Sequence, residues 1–230
     1  MTELVLIRHG ETAWNAERRL QGYLDIALNQ VGVQQARLLA AALQGDPPDV
    51  IVCSDLQRAR ATAAPLAQVA AVEVIVDTSL RERCFGAFEG LRYDEINDHF
   101  PVAHSAWQAR ELDARFPPRV DPDGVHAAET LREFSRRAVS AVLAHLQRHR
   151  GKKIAIVTHG GVLDCVYRFS AGMPLEKKRN FDIANASVNR FFWECDKLTL
   201  RQWGDVSHLP TRVRDAVEQQ PSILSYKFVE

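Results

Sequence analysis

A chain of 230 residues is long enough to bury one full hydrophobic core, and a single domain carrying a modest insertion is its natural organisation. Its make-up, 46% apolar and 25% charged, is that of an ordinary globular protein rather than a disordered or fibrous one. The 29 Lys and Arg balance the 29 Asp and Glu, which argues against a nucleic-acid coat or a polybasic membrane anchor and leaves room for a local anion site.

The first apolar run, Leu4-Val5-Leu6-Ile7, predicts a buried strand over residues 3–7. It follows Met1 so closely that no secretory signal fits, and no apolar run reaches transmembrane length, so a cytoplasmic location is the expectation. Residues 12–28 read as an ordered loop. Asn29 is a fair N-cap for a helix to about residue 44, with Ala36, Leu39, Ala40 and Leu43 on one face and Gly45-Asp46-Pro47-Pro48 ending it. Asp49 to Cys53 reads as a second strand. Ser54 precedes Gln57 in a capping-box pattern, and the helix this opens is expected to kink or divide at Pro65.

Residues 72–76 predict a third strand, and the chain then turns irregular through Arg81–Gly86. Residues 92–125, with Pro101, Pro117, Pro118 and Pro122, read as two short helices plus a loop, inserted as a cap over one end of the sheet. Residues 127–149 predict a long helix with Val139, Val142, Leu143 and Leu146 on one stripe. Ile154 to Thr158 predicts a fourth strand, with a helix from about Gly161. Val188–Cys195 and Leu198–Trp203 predict a hairpin, and the tail after Gly204 is polar, its sequence giving no role. Cys53, Cys84, Cys165 and Cys195 form no Cys-x-x-Cys pair and are expected to be reduced thiols.

Strands alternating with helices predict an α/β fold: a three-layer sandwich with a mostly parallel central sheet, helices on both faces and a small helical cap. Ligands of such sheets sit outside the carboxyl ends of the strands. Arg8 and His9 leave the first strand, Ser54 and Arg58 the second, His159 the fourth, and Glu82 follows the third after a short link. These groups are expected at one edge. Two imidazoles and two guanidinium groups there describe a site for a doubly charged oxyanion. His9 is the candidate nucleophile, with Arg8, Arg58 and His159 stabilising charge on the oxygens. Helix N-termini after Ser54 and His159 would add backbone donors. Glu82 is placed to give the leaving oxygen a proton, but between Arg81 and Arg83 it equally fits a surface ion pair. His145 and His149 have metal-ligand spacing without the zinc-protease Glu, so a solvated face is expected, as it is for Arg132, Arg136 and Arg137. No metal site is expected.

Five segments carry a resemblance to the histidine phosphatase superfamily, in its phosphoglycerate-mutase-like branch. They are Arg8-His9-Gly10-Glu11-Thr12 with Trp14-Asn15; Gln21-Gly22, Asp25, Leu28, Gly32 and Gln35-Ala36; Ser54-Asp55-Leu56 with Arg58-Ala59 and Thr62-Ala63; Leu80 and Glu82 with Gly86 and Glu89-Gly90-Leu91; and Thr158-His159-Gly160-Gly161. The resemblance implies a phosphohistidine at His9, a phosphate pocket of Arg8, Arg58 and His159, and Glu82 as proton donor. It also implies Asn15, Gln21, Gly22 and Gly160 in or beside the pocket, and no metal.

The family divides between phosphatases and mutases. The segment Arg81-Glu82-Arg83-Cys84-Phe85 departs from the mutase pattern, which has Asn before the Glu-Arg and His-Tyr after it, and Arg92-Tyr93 takes the place where a Lys would be sought. The expected function is therefore a phosphatase acting on a small phosphorylated metabolite, with no cofactor. The alternative is a phosphoglycerate mutase primed by 2,3-bisphosphoglycerate, for which Arg110, Arg115 and Arg119 are the candidate extra cations. A non-catalytic phospho-ligand binder is a third, disfavoured reading, because His9, Glu82 and His159 are all present. No nucleic-acid or membrane partner is expected, and a homodimer is allowed.

Overall fold

Alternate side chains of β1 (Thr2–Arg8) enter opposite cores: Leu4 and Leu6 on one face, Val5 and Ile7 on the other. The computed structural model describes residues 1–210 of the chain. After β1 come α1 (Ala13–Ala16), α2 (Gln30–Ala42), β2 (Val50–Cys53), α3 (Gln57–Ala70) and β3 (Val74–Val76). The middle holds α4 (Ile96–His99), α5 (Pro101–Gln108), β4 (Arg119–Asp121) and β5 (Gly124–His126). Then follow α6 (Leu131–Arg148), β6 (Lys153–Thr158), α7 (Gly160–Ala171), β7 (Val188–Glu194) and β8 (Lys197–Asp205).

The main sheet runs β3-β2-β6-β1-β7-β8. β3, β2, β6 and β1 are parallel, and the β7–β8 hairpin adds antiparallel to β1. Helices α2 and α3 cover one face, placing Leu39, Ala40, Ala59, Ala63 and Leu66 against Val5, Ile7, Ile51 and Val157. Helices α6 and α7 cover the other, placing Phe134, Val142, Leu146, Leu163 and Val166 against Leu4, Leu6, Ile154 and Ile156. Each fully buried Leu, Ile, Val or Phe among them contributes about 1.5–3 kcal/mol. The three-layer α/β sandwich with a mostly parallel sheet is thus the observed architecture.

Local signals explain most element ends. Asn29 caps α2, its side chain accepting from the Gly32 N–H at 2.8 Å. α6 begins at Leu131 rather than near 127, because Thr130 and Glu133 form a reciprocal capping box. The Ser54–Gln57 pattern misleads: Leu56 is the N-cap of α3, and the Ser54 hydroxyl is engaged elsewhere. α3 runs undivided through Pro65, with Ala59, Ala63 and Leu66 pinning it to the sheet on both sides of the proline.

Beyond the sheet, residues 86–128 contribute to a third core of Leu20, Phe88, Ile96, Phe116 and Ala128, in which the Phe88 and Phe116 rings stack at 4.4 Å. The two short helices expected there are α4 and α5. The expected loop also contains the β4–β5 hairpin, turned at Pro122-Asp123, with Gly124 at φ +136°. Two surface expectations fail. His145 is only 6% exposed and its Nε2 lies 2.8 Å from Asp77 Oδ2, while Arg137 reaches inward from α6. All four cysteines are free. No helix among the described residues is long and apolar enough to cross a membrane. The tail from residue 211 lies outside the described residues.

Candidate active site

The carboxyl ends of β2, β6 and β1 lie side by side, so Ser54, His159 and the Arg8-His9 pair converge on one edge. The His9 and His159 ring centroids are 5.2 Å apart. His9 Nδ1 lies 2.7 Å from the Gly10 carbonyl oxygen, which only accepts, so Nδ1 carries the hydrogen and Nε2 keeps its lone pair. His159 has the other tautomer: Nδ1 accepts from Arg58 Nε at 3.3 Å, and Nε2–H donates to Ser54 Oγ at 2.8 Å. Burial, helped by Arg58 and Arg8, holds His9 well below the usual histidine range. Burial, Arg58, His9 and Arg8 do the same to His159. Both rings are neutral at pH 7, and His9 Nε2 is free to attack.

Arg58 is 1% exposed and is held at every nitrogen, with Nη1 on Leu24 O at 2.9 Å and Nη2 on Gly22 O at 2.8 Å. Gly22 sits at φ +52°, where a Cβ would overlap the Glu89 carboxylate. Arg8 donates from Nη1 to Ile183 O at 2.6 Å, and its buried Nε has no hydrogen-bond partner. Gly160 faces that Nε; a Cβ there would lie 3.5 Å from it. Burial brings both guanidinium groups down to about 10, so both remain charged at neutral pH. Asn15 closes a capping box with Thr12 and meets Asn185, whose Nδ2 also donates to His9 O at 3.0 Å. Gln21 is buried beside Gly22 with Oε1 unpartnered.

Glu82 joins the edge through the start of α7. Its Oε2 accepts from the Gly161 N–H at 2.9 Å, and its Oε1 from the Arg83 N–H at 2.9 Å. It is not paired with its neighbours in sequence: Arg81 bridges to Asp55, and Arg83 is buried with Nε on Glu129 O. A Cβ on Gly161 would overlap Glu82 Oε1, so that glycine makes the docking sterically feasible.

Several supporting residues carry no signal readable in isolation. Ser54 orients His159, Asn185 fixes the His9 backbone, and Arg137 spans the carbonyls of Ser79, Arg81 and Glu82. Their partners lie 55 or more residues away in the chain. Gly10, expected to admit a ligand, instead admits α2: a Cβ there would stand 2.6 Å from Gly32 O. The described residues hold no cluster of three or more His, Cys, Asp or Glu arranged for a metal ion.

Residues 4–206 match the model of the histidine phosphatase superfamily (branch 1). Phosphoglycerate mutase-like protein 4 of Arabidopsis thaliana is 39% identical over 210 residues, covering 90% of this chain and 86% of that one. The metal-independent phosphoserine phosphatase of Arabidopsis thaliana is 35% identical over 212 residues, covering 91% and 84%. The crystal structure of phosphoserine phosphatase in complex with 3-phosphoglyceric acid from Entamoeba histolytica superimposes with a TM-score of 0.79 at 27% identity, covering 91% of this chain and 100% of that one. With this sheet-edge constellation and these relatives, the chain belongs to the histidine phosphatase superfamily (branch 1) and is a phosphomonoesterase.

Proposed function

We propose that the protein hydrolyses a small phosphorylated carboxylic acid through a phosphohistidine on Nε2 of His9. The observation that carries this is the pair of opposite tautomers. One buried imidazole presents a lone pair, and the other an N–H, beside two guanidinium groups that burial leaves charged. His9 Nε2 attacks phosphorus as the ester P–O bond breaks, and Glu82 passes a proton to the departing oxygen. Glu82 then takes a proton from water as that water displaces His9, giving inorganic phosphate and the starting enzyme. Arg8 and Arg58 stabilise the equatorial oxygens in both steps, joined by the His159 N–H as it exchanges Ser54 Oγ for a phosphate oxygen. Asn15, Gln21, Gly22 and Gly160 border the pocket.

The substrate class follows the relatives, which include a phosphoserine phosphatase and a complex with 3-phosphoglyceric acid. The mutase alternative is less favoured, because the cap cations it needs are spent within the protein. Arg110 pairs with Asp164, Arg115 with Glu133, and Arg119 with Glu89 and Asp121. The same proposal takes the chemistry as metal-independent, the chain as one domain with a cap at about 92–125 and the location as cytoplasmic, and it allows a homodimer. Support for the cap is its separate core around Phe88.

Rapid quench after mixing with radiolabelled phosphoserine tests the central step. An alkali-stable, acid-labile adduct that disappears in His9→Ala is the expected result, and hydrolysis persisting in His9→Ala would refute it. Isomerisation of bisphosphate-primed 3-phosphoglycerate far outrunning phosphate release would return the mutase.

A further inference from the structure

We infer that Gln35 is a positioning residue for the nucleophile: through the Gly10–Glu11 peptide it holds His9 in the tautomer that leaves Nε2 free to attack. This deepens the phosphatase reading above and rests on it.

The link is a single peptide unit. Its carbonyl oxygen, on Gly10, accepts from His9 Nδ1 at 2.7 Å, and its N–H, on Glu11, donates to Gln35 Oε1 at 2.8 Å. Gln35 lies on α2 and is fully buried. A peptide group is planar, so an acceptor that fixes its N–H also fixes the direction of its carbonyl. Hydrogen bonds in such a chain polarise one another, and the bond to Gln35 makes Gly10 O a better acceptor for the ring. α2 comes this close because two glycines face each other. A Cβ on Gly10 would stand 2.6 Å from Gly32 O, and one on Gly32 would overlap Glu11 O. Asn29 grips the same residue, with its N–H on Glu11 O at 3.0 Å and its Nδ2 on Glu11 Oε1 at 2.7 Å. The neighbouring peptide is held from α3, where Thr62 Oγ1 accepts from the Gly10 N–H at 2.9 Å.

Packing alone does not call for a glutamine at this position. Its Nε2 is buried with no hydrogen-bond partner among the described residues. An apolar side chain of the same length would avoid that cost but would strip the Glu11 N–H of its acceptor. Either choice leaves one buried donor unpaired, and the glutamine favours the peptide on which His9 leans. The chemistry gives that peptide a task. As Nε2 forms its bond to phosphorus, the ester P–O bond breaks and the departing oxygen takes its proton from Glu82. The ring keeps its Nδ1 proton and gains positive charge, which develops against Gly10 O. Gln35 Oε1 is the next acceptor along that line.

The test reads the tautomer by NMR of the full chain carrying isotope-labelled histidine, the His9 signals being those lost in His9→Ala. Wild type should show a protonated Nδ1 and a bare Nε2. Gln35→Met keeps the length without the acceptor, and Gln35→Asn withdraws the acceptor by one methylene. In both, His9 protonated at Nε2 should become populated. Phosphohistidine formation from phosphoserine in rapid quench should slow by about 10–100-fold, the scale for groups that orient a histidine through its other nitrogen, with KM little changed. Gln35→Glu, whose carboxyl oxygen reaches the same N–H, should recover most of both losses. A wild-type tautomer retained in Gln35→Met and Gln35→Asn overturns the positioning role, even where those variants lose stability or rate. So does a wild-type His9 protonated at Nε2. Absence of any phosphohistidine in wild type would instead bring down the phosphatase reading, whichever nitrogen carries the proton.

Discussion

His9 and His159 lie 5.2 Å apart between ring centroids, yet the backbone oxygen of Gly10 and the guanidinium of Arg58 hold them in opposite tautomers. The two rings are therefore not interchangeable. His9→Ala removes the only lone pair available for attack and should abolish both turnover and the phosphoenzyme. His159→Ala removes a donor and should lower kcat by about 10²–10³, the usual cost of one stabilising hydrogen bond, while a phosphoenzyme still accumulates in rapid quench.

The same burial links stability to pH. Burial, Arg58 and Arg8 keep both imidazoles unprotonated in the fold, whereas the unfolded chain protonates them near pH 6.5. The unfolded state thus binds more protons below that pH. Stability is fully present above about pH 6.5 and falls as pH drops toward the folded values, by about 1.4 kcal/mol per pH unit per imidazole. Urea titrations between pH 7.5 and 5 measure the slope. The carboxylates of Asp55 and Asp77, lowered by Arg81 and His145 respectively despite burial, titrate below this window. His159→Asn should remove the share of the slope that its own imidazole contributes.

The fold was legible because its determinants are local. Leu4–Ile7 and Ile154–Val157 read as buried strands, and Asn29 as a helix cap, from their own neighbourhoods. The ends of those strands then brought Arg8, His9, Arg58 and His159 to one edge by topology alone. What escaped depends on partners distant in sequence. Ser54 looks like a cap until His159 claims its hydroxyl, and His145 looks solvated until Asp77 meets it beneath α6. The β4–β5 hairpin escaped for a different reason: its strands are only three residues each, too short for an alternation pattern to register.

Gly161 offers a way to move Glu82 without changing its chemistry. A Cβ there would overlap Glu82 Oε1 and stand 2.9 Å from the buried Phe134 ring, so the carboxylate must leave the Gly161 N–H. General-acid assistance is worth about 10²–10⁴. Gly161→Ala should lower kcat on an alkyl phosphate such as phosphoserine by about 10², and far less on p-nitrophenyl phosphate, whose phenolate departs unaided. An equal loss on both esters would mean that Glu82 does not protonate the leaving group.

Arg137 holds the backbone that carries Glu82 from behind. Its Nη1 donates to Ser79 O at 2.9 Å and Arg81 O at 3.0 Å, and its Nη2 to Glu82 O at 3.1 Å, while Glu129 pairs with Nε and Nη2 at 2.7 Å. Arg137→Met leaves three carbonyls without their donor and the Glu129 carboxylate with only the Cys84 N–H, and should cost about 2–4 kcal/mol of stability in urea titration. Its effect on rate is separable from that loss. If Arg137 acts by aiming Glu82, Arg137→Met lowers kcat on phosphoserine in the wild-type background but adds nothing to Glu82→Gln, because the group it positions can no longer give a proton. A purely structural role would lower kcat by the same factor in both backgrounds, and the double-mutant cycle distinguishes the two.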